Sequence, residues 1–279
     1  MEYIGIECKP VTGVHTSDVL ISMLADAGFE SFVENESGTV TAYIPSKFYT
    51  EILAAQLHSA EFADFLESFK VEKFPDLNWN AVWESEYQPI VIDGRCKVRA
   101  PFHSFDQNLE YDIVIMPKMS FGTAHHATTH MMISYCLAEE LAGKSLLDMG
   151  CGTAVLAILA RIRGANPVLA VDNDEWAYEN ACENIARNNT SDIVVIHGDV
   201  AVLEGRKFDV ILANINRNIL MDDLPAYAAC LLPGGVLVLS GFYFDDFKMI
   251  TLKANELGLV ADGFKEKNSW TAARFRRAD

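Results

Sequence analysis

The chain has 279 residues, half of them apolar, and 39 acidic against 22 basic side chains give a formal charge of −17. That composition fills one large core or two modest ones, which excludes global disorder, and so acidic a chain is a poor nonspecific binder of nucleic acid. The six cysteines form no C-x-x-C pair, residues 1–5 carry no basic leader, and no apolar run approaches the ~18 residues of a membrane span, so a soluble protein of the reducing cytoplasm is expected.

Residues 3–8 alternate like a strand, and Thr16, Ser17 and Asp18 cap a helical pattern of Val19, Leu20, Met23, Leu24 and Ala27 that Gly28 closes. Residues 31–34 and 39–44 read as strands around a Glu-Ser-Gly turn, residues 46–58 as a helix, and residues 69–74 alternate again. The order β-α-β-β-α-β predicts a small ferredoxin-like α+β domain over 1–76. Its four lysines face thirteen acidic residues, a net charge of −9. Such a surface is either an ordinary solvated face or a dock for a basic partner.

Beyond Pro75, Trp79, Trp83 and Tyr87 recur at i, i+4, i+8 and Pro89 stops the pattern, so residues 77–95 are expected to hold a linker helix. From 96 to 279 strands alternate with helices. The strands expected are 111–116, 145–149, 168–171, 193–196, 209–213 and 236–239, and the helices 127–141, 154–163, 175–188 and 218–231. This predicts a doubly wound, Rossmann-like α/β sheet, which binds ligands beyond the carboxyl ends of its strands.

The segments just beyond the strands therefore carry the chemistry. Leu146-Leu147 leads into Asp148-Met149-Gly150-Cys151-Gly152-Thr153-Ala154, where Gly150 and Gly152 let backbone N–H groups approach a ligand. Val155 stands where a dinucleotide fingerprint needs its third glycine, which disfavours a nicotinamide dehydrogenase. A plain strand-to-helix turn is the alternative. Asp172, ending the next strand, is placed to accept hydrogen bonds from ribose hydroxyls, and Asp174 to cap the following helix. Asp199 is either an acceptor for an adenine amine or a turn-forming Asp. Asn214, ending the strand after that, could orient a substrate nitrogen through its amide oxygen, or close an Asx turn. Among His125, His126 and His130 no further Cys or carboxylate completes a metal set, so no metal is expected. A loop leading into a helix whose hydroxyls contact a ligand is the preferred reading of 121–130.

Taken together, Phe-Gly-Thr-Ala-His-His-Ala-Thr-Thr (121–129), Asp-Met-Gly-Cys-Gly-Thr-Ala (148–154), Val-Asp-Asn-Asp around Asp172, Ala-Asn-Ile (213–215) and Leu-Pro-Gly-Gly-Val-Leu-Val-Leu-Ser-Gly (232–241) resemble the bacterial ribosomal protein L11 methyltransferases. The aromatic linker and Ser269-Trp270-Thr271 look similar too, while Ala124 and Ala154 stand where that family usually has glycine. The resemblance implies S-adenosylmethionine as methyl donor, contacted by Thr129, Gly150, Asp172 and Asn214. It further implies a substrate that is large-subunit ribosomal protein L11, methylated on lysines and its α-amino group and recognised by the small domain. The rival functions are methylation of RNA or a small amine, and a nonenzymatic ribosome-assembly protein with a vestigial pocket.

Overall fold

The computed structural model describes residues 2–11, 16–35, 38–74, 87–118 and 120–278. The linker helix expected at Trp79, Trp83 and Tyr87 falls mostly on 75–86, outside the described residues. The chain divides into two compact units, Met1–Tyr87 and Gln88–Asp279.

In the first unit β1 (Tyr3–Pro10), α1 (Thr16–Asp26), β2 (Ser31–Glu34), β3 (Val40–Pro45), α2 (Glu51–Leu57), α3 (Ala60–Ala63) and β4 (Leu66–Phe74) follow in order. The sheet runs β2-β3-β1-β4 and every pairing is antiparallel. Period-two alternation buries Ile4, Ile6 and Cys8 of β1 with Val40, Ala42 and Ile44 of β3 against Leu20, Leu24, Leu53 and Leu57. The helix expected over 46–58 is broken. Residues Ser46–Phe48 make a single 3-10 turn, and Thr50 restarts the chain as the cap of α2, accepting a hydrogen bond from Leu53 N at 3.2 Å.

The second unit opens with β5 (Ile90–Ile92), β6 (Cys96–Arg99) and β7 (Tyr111–Val114), a separate three-stranded sheet. The strand expected at 111–116 thus pairs with β6 and not with the large sheet. Then come α4 (Ala127–Ala138), β8 (Leu146–Met149), α5 (Val155–Ile162), β9 (Val168–Asp172), α6 (Glu175–Arg187), β10 (Val194–His197), β11 (Phe208–Asn214), α7 (Arg217–Cys230), β12 (Leu231–Tyr243), α8 (Phe244–Glu256), β13 (Leu259–Lys267) and β14 (Trp270–Arg277).

The large sheet has the order β10-β9-β8-β11-β12-β14-β13. Its first five strands are parallel, and β14 runs antiparallel to both neighbours. Successive residues of the parallel strands feed opposite cores: Leu146, Ala170 and Leu212 pack on one face, Leu147, Val171 and Ala213 on the other. Burial on both faces is why these strands read as continuous apolar runs. From β8 the chain winds outward through β9 to β10, then returns to β11 on the far side of β8. The reversal opens a crevice beyond the carboxyl ends of β8 and β11.

Candidate active site

A cleft of about 270 Å³ occupies that crevice, lined by Ser120, Phe121, Gly150, Gly152, Asp172, Asn173, Asp174, Ala177, Asn214 and Ile215. The glycine loop forms its floor. Gly150 and Cys151 donate their N–H groups to Val171 O at 2.8 and 3.0 Å, fastening the loop to the end of β9. Gly150 and Gly152 take φ of +68° and +54°, and a Cβ on either would strike Ile215 Cγ2 at 2.2 Å or Phe121 O at 2.3 Å. Glycine is required at both for space as well as for conformation. The loop is locked from above by Phe121 O, which accepts from Thr153 N at 2.9 Å, and by Gly122 O, which accepts from Thr153 Oγ1 at 2.7 Å.

Asp172 closes one end of the cleft. Its Oδ2 accepts from Gly152 N at 2.8 Å and its Oδ1 from Asp174 N at 3.1 Å, so each oxygen is held by one backbone donor and keeps acceptor capacity for a second. Asp174 caps α6, accepting from Ala177 N at 2.8 Å. Behind the loop, Asp148 is buried under α5, where Oδ2 accepts from Ala157 N at 3.0 Å. Burial pushes this carboxyl up to about 7, the Ala157 N–H pulls against that, and the nearby Asp172 adds to the rise.

Asn214 closes the other end. Its Nδ2 donates to Thr129 Oγ1 at 3.3 Å, while its buried Oδ1 has no hydrogen-bond partner among the described residues. Thr129 is itself buried on α4, so it stands behind Asn214 and is not one of the lining residues. Asp199 is exposed and caps the turn Val200–Leu203, its Oδ1 accepting from Ala201 N at 2.9 Å, outside the lining set. The three histidines serve separate ends. His125 places Nδ1 3.1 Å from Thr123 O and Nε2 3.0 Å from Gln88 O, His126 caps α4, and burial lowers the His130 pKa.

Sequence reasoning missed a row of asparagines on α6. Asn184 accepts from Met116 N at 2.9 Å and donates to Thr153 O at 3.2 Å, and Asn188 exchanges two hydrogen bonds with the backbone of Val114 at 2.7 and 2.8 Å. These side chains supply the backbone partners that residues 114–116 would otherwise find in a sheet. The signal is present: Asn180, Asn184 and Asn188 recur at i, i+4, i+8, the first two in the helix interior, where the residue is disfavoured unless its amide is used, and the third at its C-cap.

The cleft thus joins a backbone cradle with no room for side chains, a pinned carboxylate and, at its other end, an orphaned amide oxygen. Those features fit a nucleoside. The fold and the site define a Rossmann-like methyltransferase that uses S-adenosylmethionine. The family model of the ribosomal protein L11 methyltransferases (PrmA) matches residues 6–278. The ribosomal protein L11 methyltransferase of Bacteroides fragilis is 49% identical over 262 residues, covering 93% of each chain. That of Chlorobaculum tepidum is 38% identical over 240 residues, 79% of this chain and 81% of its own. A solved ribosomal protein L11 methylase from Lactobacillus delbrueckii subsp. bulgaricus superposes with a TM-score of 0.64 at 26% identity, over 69% of this chain and all of its own. The chain belongs to the ribosomal protein L11 methyltransferase family.

Proposed function

We propose that this enzyme methylates ribosomal protein L11 on lysine side chains and on its α-amino group, with Asn214 orienting the acceptor amine. The observation that carries the reading is the buried Oδ1 of Asn214, unpartnered among the described residues while its Nδ2 is tied to Thr129. A buried acceptor without a donor costs about 1–3 kcal/mol, a cost that an amine N–H relieves on arrival.

S-adenosylmethionine supplies a sulfonium methyl that is already electrophilic, so the acceptor has only to arrive neutral and aligned. Neutralising a lysine of ordinary pKa ~10.4 near pH 7.4 costs about 4 kcal/mol. Burial beside Asn214 disfavours the charged form and offsets part of that cost. Asn214 Oδ1 accepts one N–H and turns the nitrogen lone pair toward the methyl, and the departing proton passes to water. On the donor side Gly150 and Gly152 give backbone contact, Asp172 takes the ribose hydroxyls, Asp199 reaches the adenine amine from the rim, and Thr129 acts through Asn214.

Recognition of L11 is assigned to the domain over 1–76. Its charge of −9 suits a basic partner, and the surface groups Glu7, Glu30, Glu34 and Glu72 lie on its strands or their approach. The test is a transfer assay with labelled S-adenosylmethionine and three acceptors: unmodified L11, ribosomal RNA and a panel of small amines, followed by peptide mass mapping. Methyl-sized gains on L11 lysines and its N-terminus are expected. Label on the RNA or the small amines, with none on L11, overturns the assignment.

A further inference from the structure

The loop over 120–126 borders the cleft and is held from two sides. On the inner side Ser120 and Phe121 line the cleft, and the carbonyls of Phe121 and Gly122 accept from Thr153 as described above. That contact has no slack, since a Cβ on Gly122 would stand 2.6 Å from Thr153 Oγ1. On the outer side the hold is His125, an exposed residue with both ring nitrogens engaged. Its Nε2 lies 3.0 Å from the carbonyl oxygen of Gln88, 37 residues back along the chain. Its Nδ1 lies 3.2 Å from Thr123 Oγ1 and 3.1 Å from Thr123 O. A carbonyl only accepts, so Nε2 is the donor to Gln88. In the neutral ring Nδ1 then accepts from the Thr123 hydroxyl, and in the protonated ring it donates to Thr123 O, so either charge state keeps the tie. The Gln88 end is fixed as well. Pro89 confines Gln88 to extended backbone, which sets the direction of its carbonyl, and in β5, which follows, Ile92 lies in the same buried core as Met131 and Met132 of α4.

We propose that His125 is a positioning residue of the donor site: it ties the loop that carries Ser120 and Phe121 to the strap at Gln88, and so holds that wall of the cleft against S-adenosylmethionine and its product. The proposal rests on the donor occupying this cleft, as in the function proposed above. His125 is not among the lining residues, so it acts through the loop. The bonds to Thr153 fasten the loop only to the glycine loop beneath it. What His125 adds is a fixed point outside both, on a strap anchored in the core. Without that point the outer end of the wall is free to move, and the donor escapes more readily. The transfer step beside Asn214 is left as it was. The signature is therefore weaker donor binding at constant kcat.

The experiment compares wild type with His125→Ala, His125→Asn and His125→Gln. An asparagine amide ends where Nδ1 stands and a glutamine amide where Nε2 stands, so the first keeps the Thr123 contact and the second keeps the tie to Gln88. Calorimetry reads S-adenosylhomocysteine affinity, and transfer to L11 reads KM for S-adenosylmethionine and kcat. With one hydrogen bond of ordinary strength lost, His125→Ala and His125→Asn are expected to weaken S-adenosylhomocysteine binding and raise KM about fivefold, with kcat changed by less than about twofold. His125→Gln is expected to stay within about twofold of wild type in all three. An asparagine variant as tight as wild type, a glutamine variant as weak as the alanine one, or an alanine variant of unchanged affinity each overturns the proposal. Calorimetry needs no acceptor, so the outcome does not depend on L11. Asp172→Ala separates the two levels: if it binds S-adenosylhomocysteine as wild type does, the placement of the donor in this cleft falls and the proposal with it. A weakened Asp172→Ala beside an unaffected His125→Ala refutes the role of His125 alone.

Discussion

Asn214 and Thr129, 85 residues apart in sequence, meet at 3.3 Å, with the amide nitrogen donating to the hydroxyl. That bond decides which end of the Asn214 amide is left unpartnered, the end to which the proposed function brings the acceptor. Thr129→Val removes the hydroxyl at nearly constant volume, so the amide loses the contact that sets its orientation. One neutral hydrogen bond is worth about 1 kcal/mol, so kcat is expected to fall about five- to tenfold. Donor affinity, measured by calorimetry, should move less than twofold, and Thr129→Ser should restore kcat. Loss of donor affinity in step with kcat would place Thr129 in the donor site instead.

Asp172 ends β9 and Asp199 stands just beyond β10, yet only Asp172 lines the cleft. Hydrogen bonds to a charged group are worth about 1.5–3 kcal/mol. Asp172→Ala is therefore expected to weaken S-adenosylmethionine binding by about 100-fold, including the loss of the Gly152 N–H clip. Asp199→Ala, removing an exposed cap and at most a rim contact, should weaken it less than about fivefold. Isothermal titration of the two variants side by side separates the roles, and equal losses would bring Asp199 into the site.

The asparagine row on α6 makes a different demand. Asn184→Leu leaves Met116 N, half-buried, and Thr153 O, fully buried, without partners. Each unsatisfied backbone group costs about 1–3 kcal/mol, so urea unfolding should show a loss of about 3 kcal/mol. Because Thr153 belongs to the loop under the donor, affinity for S-adenosylmethionine should drop with it. A stable variant of normal affinity would reduce the row to surface detail.

The parallel strands are legible in the sequence because burial on both faces writes them as apolar runs, and the switch point follows from their order. The glycine loop is legible for a related reason, since close backbone approach admits only glycine; the acidic end of β9 stands out only beside that loop, because Asp174 and Asp199, also just beyond strand ends, serve as caps. The family resemblance makes Thr129 a donor contact, but its place behind Asn214 depends on how α4 packs on β11, which no local pattern encodes. The hairpin of β13 and β14 escapes a sequence reading because β13 is a largely exposed edge strand whose charged residues hide the alternation. The helix expected over 46–58 ignores Thr50, whose side chain competes for the backbone and starts a new helix.

Ala124 and Ala154, which replace the glycines usual in the family, both sit at positive φ, +69° and +61°. An alanine there carries about 1 kcal/mol of strain, close to the value of the buried methyl it contributes. Ala154→Gly is therefore expected to leave stability within about 1 kcal/mol of wild type and donor affinity unchanged. Ala154→Val adds a branch at Cβ in a left-handed, fully buried position and should cost more than about 2 kcal/mol. Thermal unfolding of the pair checks the sign, and a tolerated valine would mean that the loop has freedom the structure does not show.

Asp148 gives the fold a pH dependence of unusual sign. Burial raises its pKa from near 3.8 to about 7, with Asp172 adding to the rise. Between those values the folded chain keeps a proton that the unfolded chain gives up. Stability falls as pH climbs wherever the folded state binds more protons, so this residue's contribution is full below about pH 4, is lost on the way to about 7, and is flat above. Asp148→Asn keeps an oxygen for Ala157 N and never ionises. Its stability relative to wild type should therefore grow steadily from pH 4 to about pH 7 in urea unfolding and level off beyond. A difference that stays constant over that range would mean that Asp148 ionises at its ordinary pKa in the folded chain.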